Sequence, residues 1–252
     1  RVDALVALGR LFSLHGPTEN SLRAVVDHAK SIHEDGMGPE RHAALFAIGR
    51  SGETSLIEGF MPLLAAPDAD AVTVACYVFG YARWKPALPF LKYLVDQNER
   101  LVVQAAIWAL GQIGAAEALD LLLPMLRRAE NVEWLVGALG DIGEVSALDA
   151  LLPLLSSEVT DIRVLTIMSI YAIVEHNKDR KVRRDLAWME SALRQAAKDS
   201  FPPVAVFAMN TLIELGHTID KDDVRVALHL SSFSEAFTGT EAVYMTRGRK
   251  PN

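Results

Sequence analysis

Residues that could carry out chemistry are few in this sequence, and they are not spaced as a site requires. The chain contains seven histidines and one cysteine. Neither the HExxH motif nor the paired Cys/His spacing of a metal site occurs among them. The phosphate-binding pattern GxxxxGK[ST] and the nucleophile pattern GxSxG do not occur either. We therefore predict no catalytic, cofactor-binding or metal-binding residue and no cofactor.

The single cysteine, Cys76, falls at a small core position of a predicted helix, so we expect a buried structural thiol. One cysteine excludes an intrachain disulfide. Since there is also no secretory apolar stretch, this favours a reducing, cytoplasmic compartment. The uncharged segment 71–82 is shorter than the ~20 residues of a membrane helix, so no membrane span is predicted. The chain begins with Arg1 instead of Met, and we expect it to be a fragment.

The charge of the chain argues against nucleic acid as the partner. The net charge is −7, which repels a polyanion on average. Two basic clusters stand among acidic residues and are best explained as solvated faces. They are Lys178, Arg180, Lys181, Arg183 and Arg184, and near the end Arg247, Arg249 and Lys250.

A repeat of about thirty residues runs through the chain. Residues 105–114 read AAIWALGQIG and residues 135–143 read LVGALGDIG, two apolar helix faces with the same ending. The first glycine of that ending serves as a marker. Equivalent markers are Gly9, Gly49, Gly80, Gly111, Gly140, Tyr171 and Ile213. Their near-equal spacing in the middle of the chain predicts stacked helix pairs, each burying its apolar face against the next.

Each repeat contains a helix A, a turn and a marker-bearing helix B. The predicted B helices lie near 1–14, 40–51, 71–83, 101–113, 131–142, 161–174 and 203–215. Leu-rich A helices are predicted at Ser21–Ile32, Ser55–Leu64, Ala87–Val95, Ala116–Leu126 and Ala147–Leu155. The fold class is thus all-α, an α-solenoid of about seven helix pairs over 1–230, the first of them incomplete. The Ser, Gly and Thr content of 231–252 predicts an irregular tail.

These repeats resemble the HEAT family, specifically the short HEAT-like repeats of phycobilin-lyase-like proteins. The match is best at Val102 to Gly114, and helix A carries the family's proline at Pro62, Pro89, Pro124 and Pro153. The arginine that such repeats carry early in helix B occurs only at Arg41 and Arg163, so a continuous Arg–Asp ladder is not expected. The resemblance implies a right-handed superhelix whose B helices line the concave face.

An aromatic stripe is predicted on that concave face. Phe46, Tyr77 and Trp108 occupy one column of three successive repeats, three residues before each marker. Tyr, Trp and Arg are enriched at interface hot spots because they combine large apolar area with a polar group. The alternative is that the rings fill gaps between helices. The complete predicted partner-binding set is Phe46, Arg50, Tyr77, Tyr81, Trp84, Trp108, Gln112, Trp134 and Asp141.

The leading functional hypothesis is a non-catalytic scaffold or adaptor that binds a segment of a partner protein on the B helices. One alternative is a phycobilin-lyase-like enzyme that handles a chromophore or another flat ligand, for which the aromatic stripe is the physical support. A further alternative is a nucleic-acid-binding HEAT-like protein, for which the basic clusters are the support.

Overall fold

A computed structural model describes residues 39–177 and 185–219, together with positions 7, 9, 10, 18, 20, 21, 23 and 24. Within these residues all regular structure is helical, and the all-α prediction is confirmed. The tail predicted at 231–252 and the basic clusters at 178–184 and 247–250 lie outside the described residues. So do most of the helices predicted at 1–14 and 21–32.

The helices alternate between the two types that the repeat predicts. In chain order they are α1 (Pro39–Gly49), α2 (Thr54–Glu58), α3 (Ala69–Ala82), α4 (Leu88–Val95), α5 (Arg100–Ile113), α6 (Leu119–Arg127), α7 (Val132–Ile142), α8 (Leu148–Leu151), α9 (Thr160–His176), α10 (Glu190–Ala196) and α11 (Pro202–Glu214). Odd numbers are B helices and even numbers are A helices. The bounds of α1, α3, α5, α7, α9 and α11 lie within two residues of the B-helix ranges given above.

The A helices are short and adjoin 3₁₀ turns, and in several repeats a proline lies at the start of such a turn. Pro62 and Pro153 stand in the first turn of the 3₁₀ segments Met61–Ala65 and Leu152–Ser156. Proline has no backbone N–H and clashes with the carbonyl four residues earlier, so a regular α-helix is disfavoured there. Each A helix consequently supplies only a few buried Leu side chains, such as Leu91 and Leu122.

The second glycine of the repeat ending terminates helix B. Gly114 has φ 73°, a left-handed conformation that costs glycine little. Its N–H donates to Gly111 O, and Ala115 N–H donates to Leu110 O, which is the Schellman pattern. Left-handed residues stand at the same position of four other repeats: Gly52, Arg83, Gly143 and Gly216.

The marker glycines lie where neighbouring B helices approach most closely. A Cβ placed on Gly111 would be 2.7 Å from the Cα of Ala138 on α7. One placed on Gly140 would be 2.8 Å from the Cα of Ser169 on α9. Only glycine permits such a backbone approach, and this explains the residue that recurs with the repeat.

The chain contains two compact units, 1–138 and 139–252. In the first unit α3 packs against both α1 and α5. In the second unit α9 packs against α11, with the ring centroids of Tyr171 and Phe207 at 5.7 Å. A single array over 1–230 stays a prediction.

Candidate partner-binding surface

Four predicted residues of the first unit come together in one aromatic cluster, which we define as Phe46, Tyr77, Tyr81, Trp108 and His42. The Tyr81 ring meets Phe46 edge-on at 5.3 Å between centroids and Trp108 at 4.8 Å. Tyr77 lies 4.8 Å from Trp108 and 6.4 Å from Tyr81. Such edge-on and tilted contacts are the favoured arrangements of aromatic pairs.

Two members of the cluster are packed inside the helix row. Tyr77 is 8% exposed and Trp108 is 9% exposed. The six-membered ring of Trp108 covers Gly80, in the space that a Cβ at that glycine would occupy. Burial raises the pKa of the Tyr77 hydroxyl to about 12, so it stays protonated. For these two rings the structure shows the alternative reading, in which aromatic side chains fill gaps between helices.

Phe46 and Tyr81 are only half-buried and present part of their rings at the surface. Both also rest on a marker glycine of the preceding repeat. Phe46 lies over Gly9, where a Cβ would meet the ring at 2.6 Å, and the Cβ of Tyr81 lies over Gly49 at the same distance. Because glycine has no side chain, there is space at Gly9 for the ring of Phe46 and at Gly49 for the Cβ of Tyr81.

His42 also belongs to this cluster, although it was not singled out among the histidines in the sequence analysis. Its Nδ1 is 3.2 Å from the Tyr81 hydroxyl, and its ring meets Tyr77 edge-on at 4.4 Å. Burial, followed by the neighbouring Arg41 charge, lowers the pKa of His42. The neutral imidazole can therefore hold the Tyr81 hydroxyl at neutral pH. The available signal was the spacing to Phe46, four residues later on the same helix face.

Arg50 and Trp84 follow the C-terminal ends of α1 and α3, and both are half-buried. Gln112 is half-buried in the last turn of α5. Arg50, Tyr81 and Gln112 occupy the same repeat position, one residue after the marker. In the described part of the chain, neither Trp84 nor Trp134 makes an aromatic ring contact.

The two remaining predicted residues lie on α7. Trp134 is half-buried near the start of this helix. Asp141 is half-buried in its last turn, beyond the boundary at which the second unit begins. Of the nine predicted residues, the aromatic contacts thus unite Phe46, Tyr77, Tyr81 and Trp108.

In some repeats a polar side chain of helix B binds a residue at the start of the next helix B. Arg41 donates to both carboxylate oxygens of Asp70, at 3.0 and 2.7 Å. Arg163 binds Asp199 in the same bidentate way at 2.7 and 3.2 Å. Between Gln104 and Asn131 a neutral amide hydrogen bond of 3.3 Å takes this role. The two arginines that the sequence retains are therefore the ones that form ion pairs between repeats.

The environment of Cys76 disfavours the thiolate that nucleophilic chemistry requires. Cys76 is fully buried, as predicted, and burial raises the pKa of its thiol to about 12. No group of three or more His, Cys, Asp or Glu placed to hold a metal ion occurs within the ranges that the structure covers. None of the helices described is both long and apolar enough to cross a membrane.

Comparison with known proteins places this arrangement among repeat proteins. The family described as HEAT repeats matches residues 57–134. No curated protein matches the chain in sequence. A designed armadillo repeat protein in complex with the peptide (KR)4 is similar in structure, with 18% identity, a TM-score of 0.53, and coverage of 79% of this chain and 100% of that chain.

Two further structures are also similar. The complex of CpcE and CpcF of phycocyanin lyase from Nostoc sp. PCC7120 has 19% identity and a TM-score of 0.52, over 92% of this chain and 88% of that chain. A mutant of Kap121p has 15% identity and a TM-score of 0.57, over 97% of this chain and 28% of that chain. Identities this low establish the fold alone. Residues 57–134 match the HEAT-repeat family, and the chain has the α-solenoid fold shared by HEAT and armadillo repeat proteins.

Proposed function

We propose that this chain is a non-catalytic interaction scaffold that binds an extended segment of a partner protein. The proposed surface, named here the B-helix face, consists of Phe46, Arg50, Tyr81, Trp84 and Gln112 on and after α1, α3 and α5. Trp134 on α7 stays a predicted member of this face, and Asp141, which belongs to the second unit, stays a separate prediction. The observation that carries the proposal is that the half-buried residues Arg50, Tyr81 and Gln112 occupy the same position of three successive repeats, with the Phe46 ring packed against Tyr81.

The packing beneath this face suits it to binding. Tyr81 is held by three rings, Phe46, Tyr77 and Trp108, and by the hydrogen bond to His42. A side chain that is already ordered loses little conformational entropy when a partner covers it. Tyr81 thus combines large apolar area, a hydroxyl and a fixed position, which are the properties of an interface hot spot.

The buried residues Tyr77 and Trp108 support this face from below. Their side chains are buried in the core of the first unit, so we expect their truncation to reduce the stability of the fold more directly than the affinity for a partner. The residues that distinguish binding from folding are therefore the half-buried ones. The structural likeness to a designed armadillo protein that holds a peptide supports an extended segment as the occupant.

The experiment selects peptides from a random display library on the full chain and measures their affinity by fluorescence anisotropy for wild type and Tyr81→Ala. Alanine retains the Cβ that packs over Gly49, so the helix contact is preserved. We expect an affinity loss of about tenfold or more, the effect of removing a hot-spot aromatic.

A matched control removes an aromatic side chain from the other side of a helix pair. Tyr93 on α4 is 68% exposed, and Tyr93→Ala should leave the affinity unchanged. Circular dichroism melts of both variants establish that they are folded. Selected peptides that bind folded Tyr81→Ala as tightly as wild type, or that lose affinity for Tyr93→Ala instead, would show that the B-helix face is not the binding surface.

The buried, unreactive environment of Cys76 agrees with a reducing, cytoplasmic compartment, which stays a prediction.

A further inference from the structure

Arg83 occupies a position that other repeats give to glycine. It is the left-handed residue that ends α3, with φ 52° and ψ 42°. The corresponding residues Gly52, Gly114, Gly143 and Gly216 have φ between 73° and 88°. A residue with a Cβ is strained in this conformation and glycine is not. Arg83 therefore destabilises the end of α3 relative to glycine, so the presence of an arginine side chain here calls for a compensating role.

Nearby charges do not explain why an arginine occupies this position. Arg83 is exposed, and none of the residues that the structure describes forms an ion pair with it. Its charge acts on another cation, because burial and then Arg83 lower the pKa of Arg50. A cation near the end of a helix does interact favourably with the helix dipole. That benefit is equally available from a residue in the last helical turn, where no left-handed backbone is required.

The surroundings of the two arginines complete a recognition site. Arg50 follows α1 and Arg83 follows α3, and these two helix ends are in contact, because a Cβ on Gly49 would lie 2.6 Å from the Cβ of Tyr81 and 3.0 Å from the backbone nitrogen of Ala82. The half-buried residues Tyr81 and Trp84 flank Arg83 in the sequence. Arginine presents a planar set of donors that matches a carboxylate in a bidentate way. Two cations at neighbouring helix ends fit a chain segment that carries carboxylates.

We propose that Arg83, with the positive charge of Arg50 near it, binds carboxylates of an acidic partner segment that rests against Tyr81 and Trp84. This rests on the proposed function and names the chemistry of the partner. Nucleic acid fits less well, because its binding draws on many phosphate contacts, whereas this site offers two arginines on a chain of net charge −7. An acidic peptide must overcome the same overall repulsion, so its binding requires a local site.

The experiment uses the full chain and three fluorescein-labelled peptides of equal length, (DE)4, (NQ)4 and (KR)4. Wild type should bind (DE)4 more tightly than the other two, and the affinity should fall as salt is raised. Arg83→Gly should weaken (DE)4 binding about tenfold, as expected for removal of one charged partner. The same variant should melt about 2 °C higher, since the left-handed strain is removed.

Two further variants separate the effect of the Arg83 charge on binding from the effect of the left-handed backbone on stability. Arg83→Gln keeps the left-handed backbone strain but removes the charge, and it should lose (DE)4 affinity without melting higher. Ala129, which is left-handed at φ 56°, provides the opposite control. Ala129→Gly should melt higher and bind (DE)4 like wild type.

The proposal is overturned if Arg83→Gly and Arg83→Gln bind (DE)4 as wild type does, or if (NQ)4 binds as tightly as (DE)4. Tighter binding of an octathymidylate oligonucleotide than of (DE)4 would also overturn it, in favour of nucleic acid. Library peptides that require Tyr81 but tolerate loss of Arg83 would refute the acidic segment and leave the proposed function intact. Peptides indifferent to both residues would refute the proposed function itself.

Discussion

Replacement of Gly111 by alanine tests the close packing of B helices on which the fold of the first unit depends. Two effects of opposite sign compete. Alanine is favoured over glycine in a helix interior by about 1 kcal/mol. Against this, the new Cβ would lie 2.7 Å from the Cα of Ala138, 3.0 Å from its Cβ and 3.2 Å from its carbonyl oxygen.

The steric effect should win because the obstacle is backbone. A flexible side chain could turn away, but α7 itself must move by about 1 Å to restore ordinary contact distances. Overpacking of this kind costs about 1–3 kcal/mol, and we take the upper end because α5 and α7 must separate. Subtracting the helix-propensity gain gives an expected loss of about 2 kcal/mol in the free energy of unfolding.

Urea denaturation followed by tryptophan fluorescence measures this loss, with Trp108 on the same helix as a reporter. Gly114→Ala calibrates it. A Cβ at Gly114 meets nothing within 4 Å, but φ is 73°, so only backbone strain acts, at about 1 kcal/mol. A Gly111→Ala variant as stable as wild type, or more stable, would show that α5 and α7 are not in backbone contact and would refute the reasoning.

Further predictions concern an ion pair and the cysteine. Asp199→Ala should lower the free energy of unfolding at pH 7 by about 2 kcal/mol, because it leaves the well-covered charge of Arg163 without its counter-ion. Glu130→Ala removes the exposed partner of Arg128 and should lower it by less than about 0.5 kcal/mol. Equal losses in chemical denaturation would contradict this prediction. Burial opposes ionisation of Asp199, but the hydrogen bonds from Arg163 prevail and hold its pKa below the usual range, so the carboxylate's contribution should be full above pH about 4 and should disappear as the pH falls through the lower folded-state pKa. Cys76, whose thiol pKa is about 12, should resist a thiol-specific disulfide reagent at pH 8 until urea unfolds the chain, and rapid modification of the native protein would contradict its burial.

The sequence by itself determined the helices and their order. Apolar spacing, turn residues and the recurring glycines are local signals, and repetition lets each copy support the interpretation of the others. The spacing of Gly80 and Gly111, for example, was enough to predict α3 and α5. The prolines likewise marked the A helices, although only the structure showed that some of them stand in 3₁₀ segments.

Only the tertiary structure decided which of the aromatic residues are buried. Trp108 and Phe46 occupy the same repeat position, yet Trp108 is buried over Gly80 while Phe46 keeps part of its ring at the surface. Exposure depends on the space left by a helix some thirty residues away, which no local pattern records. The contact of His42 with Tyr81 was hidden for the same reason, because it joins two segments that only packing brings together.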